Sequence, residues 1–226
     1  MQYGFIIILI KRKLKKEPIK THTLRQLFSD LNFHLLNDEK PSVYLSSIYD
    51  RPEFKQYPFS MLRRLRSTEQ SPVHHPEGNV WNHTLLVVDE AARRKHLSAD
   101  AAAFMWSALL HDIGKPDATK VRKDKITAYN HDGVGEKLAR QFLQEFTGDN
   151  AFIDRVAYLV RYHMHILFVV RDLPFKDMEG MKRHTDIHEV ALLGLCDRLG
   201  RVGVNVEEEE RQVRLFIELC AAGKTG

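Results

Sequence analysis

Four stretches place ionisable side chains inside otherwise apolar sequence. His83 sits in VWNHTLLVV, His111 and Asp112 end WSALLHD, His163 lies in AYLVRYHMHI, and Asp197 follows the uncharged VALLGLC. Burying an isolated carboxylate is costly, and buried polar groups ordinarily satisfy one another. Singly, each residue has an ordinary reading as a hydrogen-bonded structural histidine or a capping aspartate. Together, imidazoles and carboxylates carried by several helices of one bundle can converge on a cation that neutralises the aspartates and accepts the lone pairs of neutral imidazoles. A set of His83, His111, Asp112 and Asp197, without cysteine, suits Mn²⁺, Fe²⁺, Co²⁺, Ni²⁺, Zn²⁺ or Mg²⁺ with water in the open positions. Successive helical residues point about 100° apart, so His111 and Asp112 share an ion only if it sits astride a helix end. Gly114 is expected to mark that end as a C′ residue.

The elements that must position these residues are helical. VWNHTLLVVDEAARRKH (80–96) places Leu86, Val87 and Ala91 on one stripe, and Ser98 is the expected N-cap of the helix running to about Asp112. GVGEKLARQFLQEF (133–146) spaces Val134, Leu138, Phe142 and Phe146 by four. Asn150 is the expected cap of a helix with Ile153, Val156, Leu159 and Val160 inward, and Asp186 with Glu189, then Asn205 with Glu208, offer capping boxes. TLRQLFSDLNFHLL (23–36) also has helical spacing, with Leu24, Leu27, Phe28, Leu31 and Leu35. No long segment alternates, so the class is all-α: a helical bundle over 71–222 preceded by an irregular or partly helical extension over 1–70.

Bulk properties narrow the setting. With 226 residues, 43% hydrophobic and 28% charged, the chain can bury a core. Two cysteines, Cys196 and Cys220, argue against a disulfide framework and for a reducing cytoplasm. FIIILI (5–10) is six residues long, against the roughly 20 needed to span a bilayer. Its positive charges follow it rather than precede it, unlike a secretory signal, so no membrane association is expected. Residues 1–70 carry 13 Lys and Arg against 7 Asp and Glu, the rest 21 against 23. The excess lies in KRKLKK (11–16) and RRLR (63–66), each a solvated run or a phosphate contact.

The set His83, His111-Asp112, Asp197 resembles the H…HD…D pattern of the HD-domain metal-dependent phosphohydrolases. The blocks HPEGNVWNHTLLVV (75–88), LLHDIGKPDATK (109–120), YNHDGVGEKLARQFL (129–143), LVRYHMH (159–165) and CDRLGR (196–201) are similar to the HD domain of bacterial tRNA nucleotidyltransferases, where it accompanies phosphatase and 2′,3′-cyclic phosphodiesterase activity. The likeness covers about residues 70–203. Residues 1–70 are too short for the nucleotidyltransferase head and carry no such motif, so CCA addition is not expected and tRNA need not be the substrate.

The resemblance implies an enzyme that cleaves a phosphate ester of a nucleotide or 2′,3′-cyclic nucleotide with metal-activated water. His83, His111, Asp112 and Asp197 would hold one divalent ion, and Asp112 or a nearby carboxylate would accept a proton. Lys115 would contact phosphate, or alternatively satisfy helix carbonyls. His131 and His163 match the extra histidines of two-metal members; they would hold a second ion bridged by Asp112, or bind phosphate. Arg201, one turn from Asp197, would orient it, or with Arg198 face solvent. His165 is the weaker candidate, and His75 and Glu77 would rim the cleft. Rival readings are a two-metal hydrolase of dinucleoside polyphosphates, a di-iron oxygenase, and a non-catalytic RNA-binding scaffold. Small phosphate esters or nucleotides are the expected partners, with RNA permitted and oligomeric state open.

Overall fold

The computed structural model describes residues 19–123 and 125–222. FIIILI and KRKLKK lie outside them. The elements are α1 (Ile19–Asn37), α2 (Pro41–Ile48), α3 (Ser60–Arg63), α4 (Val80–Arg94), α5 (Ala101–Leu110) and α6 (Lys115–Ala118), then strands β1 (Lys120–Arg122) and β2 (Lys125–Thr127). They continue as α7 (His131–Gln144), α8 (Asn150–Tyr162), α9 (His165–Val170), α10 (Met178–His184), α11 (Ile187–Leu199) and α12 (Val206–Ala222). Among the described residues no helix is long and apolar enough to cross a membrane. Both cysteines are free and buried.

Helices α4, α5, α8 and α11 pack on one another as the central bundle. α7 lies along α8, α12 covers α11 and α9, and α1 and α2 close over α5 and α4. α5 is the axis: every residue from Ala103 to Leu110 is buried, as expected of a helix with almost no polar surface. The described part of the N-terminal extension, residues 19–70, is largely helical. Leu27, Leu31 and Leu35 of α1 join the same buried cluster as the bundle, while Phe28 stacks on Trp106 at 4.6 Å and on Phe146 at 4.4 Å. Trp106 donates its indole N–H to Asn32 Oδ1 at 2.9 Å, so the one polar atom of the largest buried side chain is matched. The basic run RRLR is partly committed to structure. Arg63 donates to Tyr49 O at 2.7 Å, and Arg64 pairs with Asp117.

Several local expectations are corrected. Asp100, not Ser98, caps α5, accepting from Ala103 N at 3.0 Å; Ser98 Oγ instead accepts from Asp100 N and donates to Glu189. Asp149, one residue before Asn150, caps α8. Asp186 caps α11, but Glu189 leaves its capping box to bind Ser98 and Ala99 N, tying α11 to the start of α5. On α4 the buried stripe is Val80, Thr84, Val87, Val88 and Ala91, and Leu86 is 38% exposed. On α7 the expected Phe142 is fully buried and Leu138 and Phe146 pack partly buried against the core, but the fully buried face is completed by Gly135, Ala139 and Leu143 rather than Val134. The hairpin β1–β2 is unforeseen. Its strands, KVR and KIT, are three residues each, too short for their alternation to stand out from chance.

Gly114 has a role other than the expected one. α5 ends at Leu110, and Gly114 has φ −81°, so it is not a left-handed C′ residue. It is a crossing point: a Cβ there would lie 2.1 Å from His131 O and 2.6 Å from Gly135 N. Only glycine lets the start of α7 approach the turn at 111–114 this closely. Asn130, at φ 60°, turns the chain into α7 in the left-handed region that asparagine tolerates. Gly114→Ala should therefore lower unfolding stability by about 1–3 kcal/mol, the usual cost of overpacking. Gly148→Ala, with nothing within 4 Å of the added methyl, should not. Urea midpoints of the two variants check this, and equal midpoints would contradict the close crossing.

Candidate metal centre

The site is built from helix ends. The first turn of α4 carries His83, the turn after α5 carries His111 and Asp112, the start of α7 carries His131, the C-cap of α8 is His163, and the last turn of α11 carries Asp197. All six are buried, Asp112 to 1% exposure. Among the described residues three groups of three have ligand atoms within 4.8 Å of one another: an outer one of His75, Glu77 and His83, and two central triads, His83, His111 and Asp112, and Asp112, His131 and His163. Asp112 belongs to both central triads. Its Oδ2 lies 3.2 Å from His111 Nε2, and its Oδ1 lies 3.4 Å from His131 Nε2 and 3.9 Å from His163 Nε2. Asp197 is in neither triad but meets His83, with Oδ1 2.9 Å from Nε2. A helix end is what lets sequence neighbours His111 and Asp112 face one point.

Backbone carbonyls set the tautomers. His111 Nδ1 is 2.8 Å from Ala108 O, His131 Nδ1 is 2.7 Å from Ala128 O, and His163 Nδ1 is 2.7 Å from Val160 O. A carbonyl only accepts, so each Nδ1 carries the proton and each Nε2 presents a lone pair. His131 Nε2 and His163 Nε2 then face each other at 3.2 Å as two acceptors. Burial, with Lys115 adding to it, lowers the proton affinity of His131; burial and the neighbouring His131 and His111 lower that of His163 to about 4. His111 Nε2 is likewise buried without a hydrogen bond, facing Asp112 Oδ2 at 3.2 Å, whose one cationic partner is Lys115 Nζ at 2.7 Å. Unmatched lone pairs around a buried carboxylate are the donor set that a divalent cation would satisfy.

Charges nearby hold the carboxylates ionised. Burial opposes ionisation of Asp112, yet His111, Lys115 and His131 keep it well below the usual carboxylate range. Asp197 is held low against the same burial by Arg201 and His83. His83 is clasped from both sides: Nε2 by Asp197, and Nδ1 at 3.0 Å from Glu77 Oε1, off the ideal hydrogen-bond angle. Burial lowers its proton affinity, but the two carboxylates outweigh that and raise it. Glu77 also meets His75 Nδ1 at 2.8 Å, and its pKa falls to about 2, burial notwithstanding, through these imidazole contacts.

The remaining candidates separate clearly. Lys115 opens α6, with Nζ 2.7 Å from Asp112 Oδ2 and 2.5 Å from Gln70 Oε1, so it does not serve the carbonyls at the end of α5. Arg201 Nη2 is 3.6 Å from Asp197 Oδ2. Arg198 points elsewhere, to Glu209 at 2.5 Å. His165 is in neither triad, and its Nε2 accepts from Asp177 N at 3.1 Å. His75 lines the cleft, whereas Glu77 stands behind His83 rather than on the rim. Sequence reasoning gave no part to Gln70, or to the buried Asp132 paired with Arg161; neither lies in a periodic pattern that would single it out.

The centre opens into a cleft of about 770 Å³. Lys115, Arg161 and Arg201 line it, each paired with a carboxylate of the same lining (Asp112, Asp132 and Asp197), and Phe168, Leu173 and Phe175 give it an apolar wall. Anionic groups near the triads and a flat apolar group farther out would both find matching surface.

Comparison with known proteins places this arrangement. Across 175 residues the chain is 32% identical to the Multifunctional CCA protein of Methylococcus capsulatus, covering 74% of this chain and 40% of that protein. It is 26% identical over 211 residues to the Multifunctional CCA protein of Pasteurella multocida, covering 88% and 50%. It is 32% identical over 151 residues to that of Thioalkalivibrio sulfidiphilus, covering 64% and 36%. The chain thus spans half or less of these relatives' lengths. The family described as the HD domain matches residues 80–201, a span that begins at α4 and includes His83, the His111-Asp112 pair, His131, His163 and Asp197. With its histidines and aspartates gathered at the helix ends inside that span, the chain belongs to the HD-domain superfamily of metal-dependent phosphohydrolases.

Proposed function

We propose that this protein hydrolyses a phosphate ester, with a nucleotide or 2′,3′-cyclic nucleotide as substrate class. His83, His111, Asp112 and Asp197 would hold one divalent cation, and Asp112, His131 and His163 a second. The observation that carries this reading is the pair of triads sharing Asp112, with Nε2 lone pairs left unmatched at the base of a cleft that Lys115 and Arg201 also line. Kinship with Multifunctional CCA proteins accords with a nucleotide substrate.

When bound, a cation in such a site lowers the pKa of a coordinated water and supplies a nucleophile near neutral pH. Hydrolysis forms a bond from the water oxygen to phosphorus and breaks the ester P–O bond, the departing oxygen gaining a proton. Asp112, held well below the usual carboxylate range, is suited to ligation more than to accepting that water's proton. Lys115, tethered by Gln70 at the cleft floor, is placed to offset charge on the phosphoryl oxygens. Arg201 orients Asp197, and Glu77 orients His83 by its Nδ1, the carboxylate–histidine arrangement that fixes a ligand's tautomer. The apolar wall receives the base or sugar.

Metal analysis of protein purified without added metal, followed by a phosphate-ester screen, tests the reading. Asp112→Ala should lose bound metal and lower turnover by more than about a hundredfold, the upper range for losing even an outer-shell partner, with far-UV circular dichroism unchanged. Full metal and full activity in this variant would overturn the assignment. Lys115→Ala should retain metal but lose roughly a hundredfold in kcat, the scale of one lost oxyanion donor. Glu77→Gln should weaken Mn²⁺ binding about ten- to a hundredfold by calorimetry, separating a positioning role from a packing role.

A further inference from the structure

The hairpin beside the cleft carries a self-repelling face. Its register sets Lys120 opposite Thr127 and Arg122 opposite Lys125. Directly opposed residues, and alternate residues along a strand, share a face. Lys120, Arg122, Lys125 and Thr127 therefore lie together, with two cations paired across the strands. Like charges so placed destabilise a sheet, and a two-stranded hairpin is marginal to begin with. Neighbouring Arg64 and Lys115 are paired to Asp117 and Asp112, but Lys120, Arg122 and Lys125 form no ion pair among the described residues. The segment KVRKDK (120–125) holds four basic residues and one acidic one.

This face is not an isolated charge run. Lys120, Arg122, Lys125, Thr127 and Tyr129 wall a groove of about 320 Å³. Thr127 and Tyr129 also line the cleft over Asp112, His131 and His163, so groove and cleft share a wall. Tyr129 stands at that junction with 71% of its surface exposed. Cations leading to an exposed aromatic ring form the combination that binds unpaired nucleic acid: the cations follow the backbone and the ring receives a base. An acidic peptide would use the cations but has no need of the ring.

We propose that the hairpin holds the phosphodiester backbone of a single-stranded oligonucleotide whose terminal phosphate enters the cleft, with a base stacked on Tyr129. Delivery of that phosphate to the centre rests on the phosphohydrolase reading; binding to the hairpin does not. Neutralisation by phosphates relieves the repulsion between Arg122 and Lys125, so the partner also stabilises the hairpin.

Fluorescence anisotropy with a fluorescein-labelled hexauridylate bearing a 3′-phosphate tests this, using the full chain across a salt series. Replacing Lys120, Arg122 and Lys125 together by Ala should weaken binding at least about tenfold and flatten the log Kd against log salt slope by roughly 2, at about 0.7 per single-strand phosphate contact. Tyr129→Ala should weaken binding roughly fivefold to a hundredfold, the value of one base–aromatic stack. Should the triple variant fail to fold, Lys120→Gln and Arg122→Gln singly should each reduce the slope by about 0.7. Equal affinity and equal slope for wild type and hairpin variants would overturn the proposal, as would competition by hexaglutamate as effective as that by the unlabelled oligonucleotide. Absence of turnover of both 3′-uridine monophosphate and 2′,3′-cyclic uridine monophosphate by metal-loaded wild type would count against the phosphohydrolase reading and leave the binding comparison standing.

Discussion

Asp112 is a carboxylate with 1% exposure, and the organisation of the site follows from having to keep it charged. An uncompensated buried ion is so costly that a protein normally neutralises or pairs it. Here His111, Lys115, His131 and His163 all approach it, from the turn after α5, from α6, from α7 and from the end of α8. The carboxylate is thus a hub on which separate helices must agree in position. Three of the surrounding imidazoles spend their single N–H on a backbone carbonyl of their own turn, which aims the lone pairs inward. The lone pairs so gathered around one carboxylate form a donor set able to hold a cation, and that set is the strongest functional signal in the fold.

Packing makes the convergence rigid. α5 is buried on all sides, so the turn at its end has little freedom. Gly114 brings α7 against that turn at backbone-contact distance, and His131 is delivered with it. Behind the clustered side chains stands a further layer of pairs: Glu77 against His83, Gln70 against Lys115, Arg201 against Asp197 and Arg161 against Asp132. Each of these pairs fixes the direction of a group that would otherwise rotate, which is how a site acquires geometry accurate enough for chemistry.

Much of this was legible in the linear order of residues, and the reason is physical. Polar residues interrupting an apolar helical stripe are costly wherever they are buried, so His83, His111, Asp112, His163 and Asp197 were conspicuous before any geometry was known. The spacing of α1, α4, α7 and α8 showed their helical character in the same way, because a buried stripe must repeat near 3.6 residues. What failed was fine in scale. Caps shifted by a residue or two at Ser98 and Asn150, since neighbouring Asp100 and Asp149 were equally competent and only the chain path chose between them. The hairpin escaped because three residues a strand are too few for an alternating pattern to be told from chance.

The sequence by itself determined the class, the helical frame and the set of residues that had to be reconciled inside it, because burial and periodicity are written locally. Only the tertiary structure decided which of them meet. His163 joins the centre while His165, two residues on, is turned to Asp177; Arg201 reaches Asp197 while Arg198 is drawn to Glu209; Glu77 leaves the rim to stand behind His83. Those choices depend on the angle at which one helix ends against another and on which carboxylate is nearer in space. Distances between elements far apart in the chain are set by packing, and no local pattern encodes them.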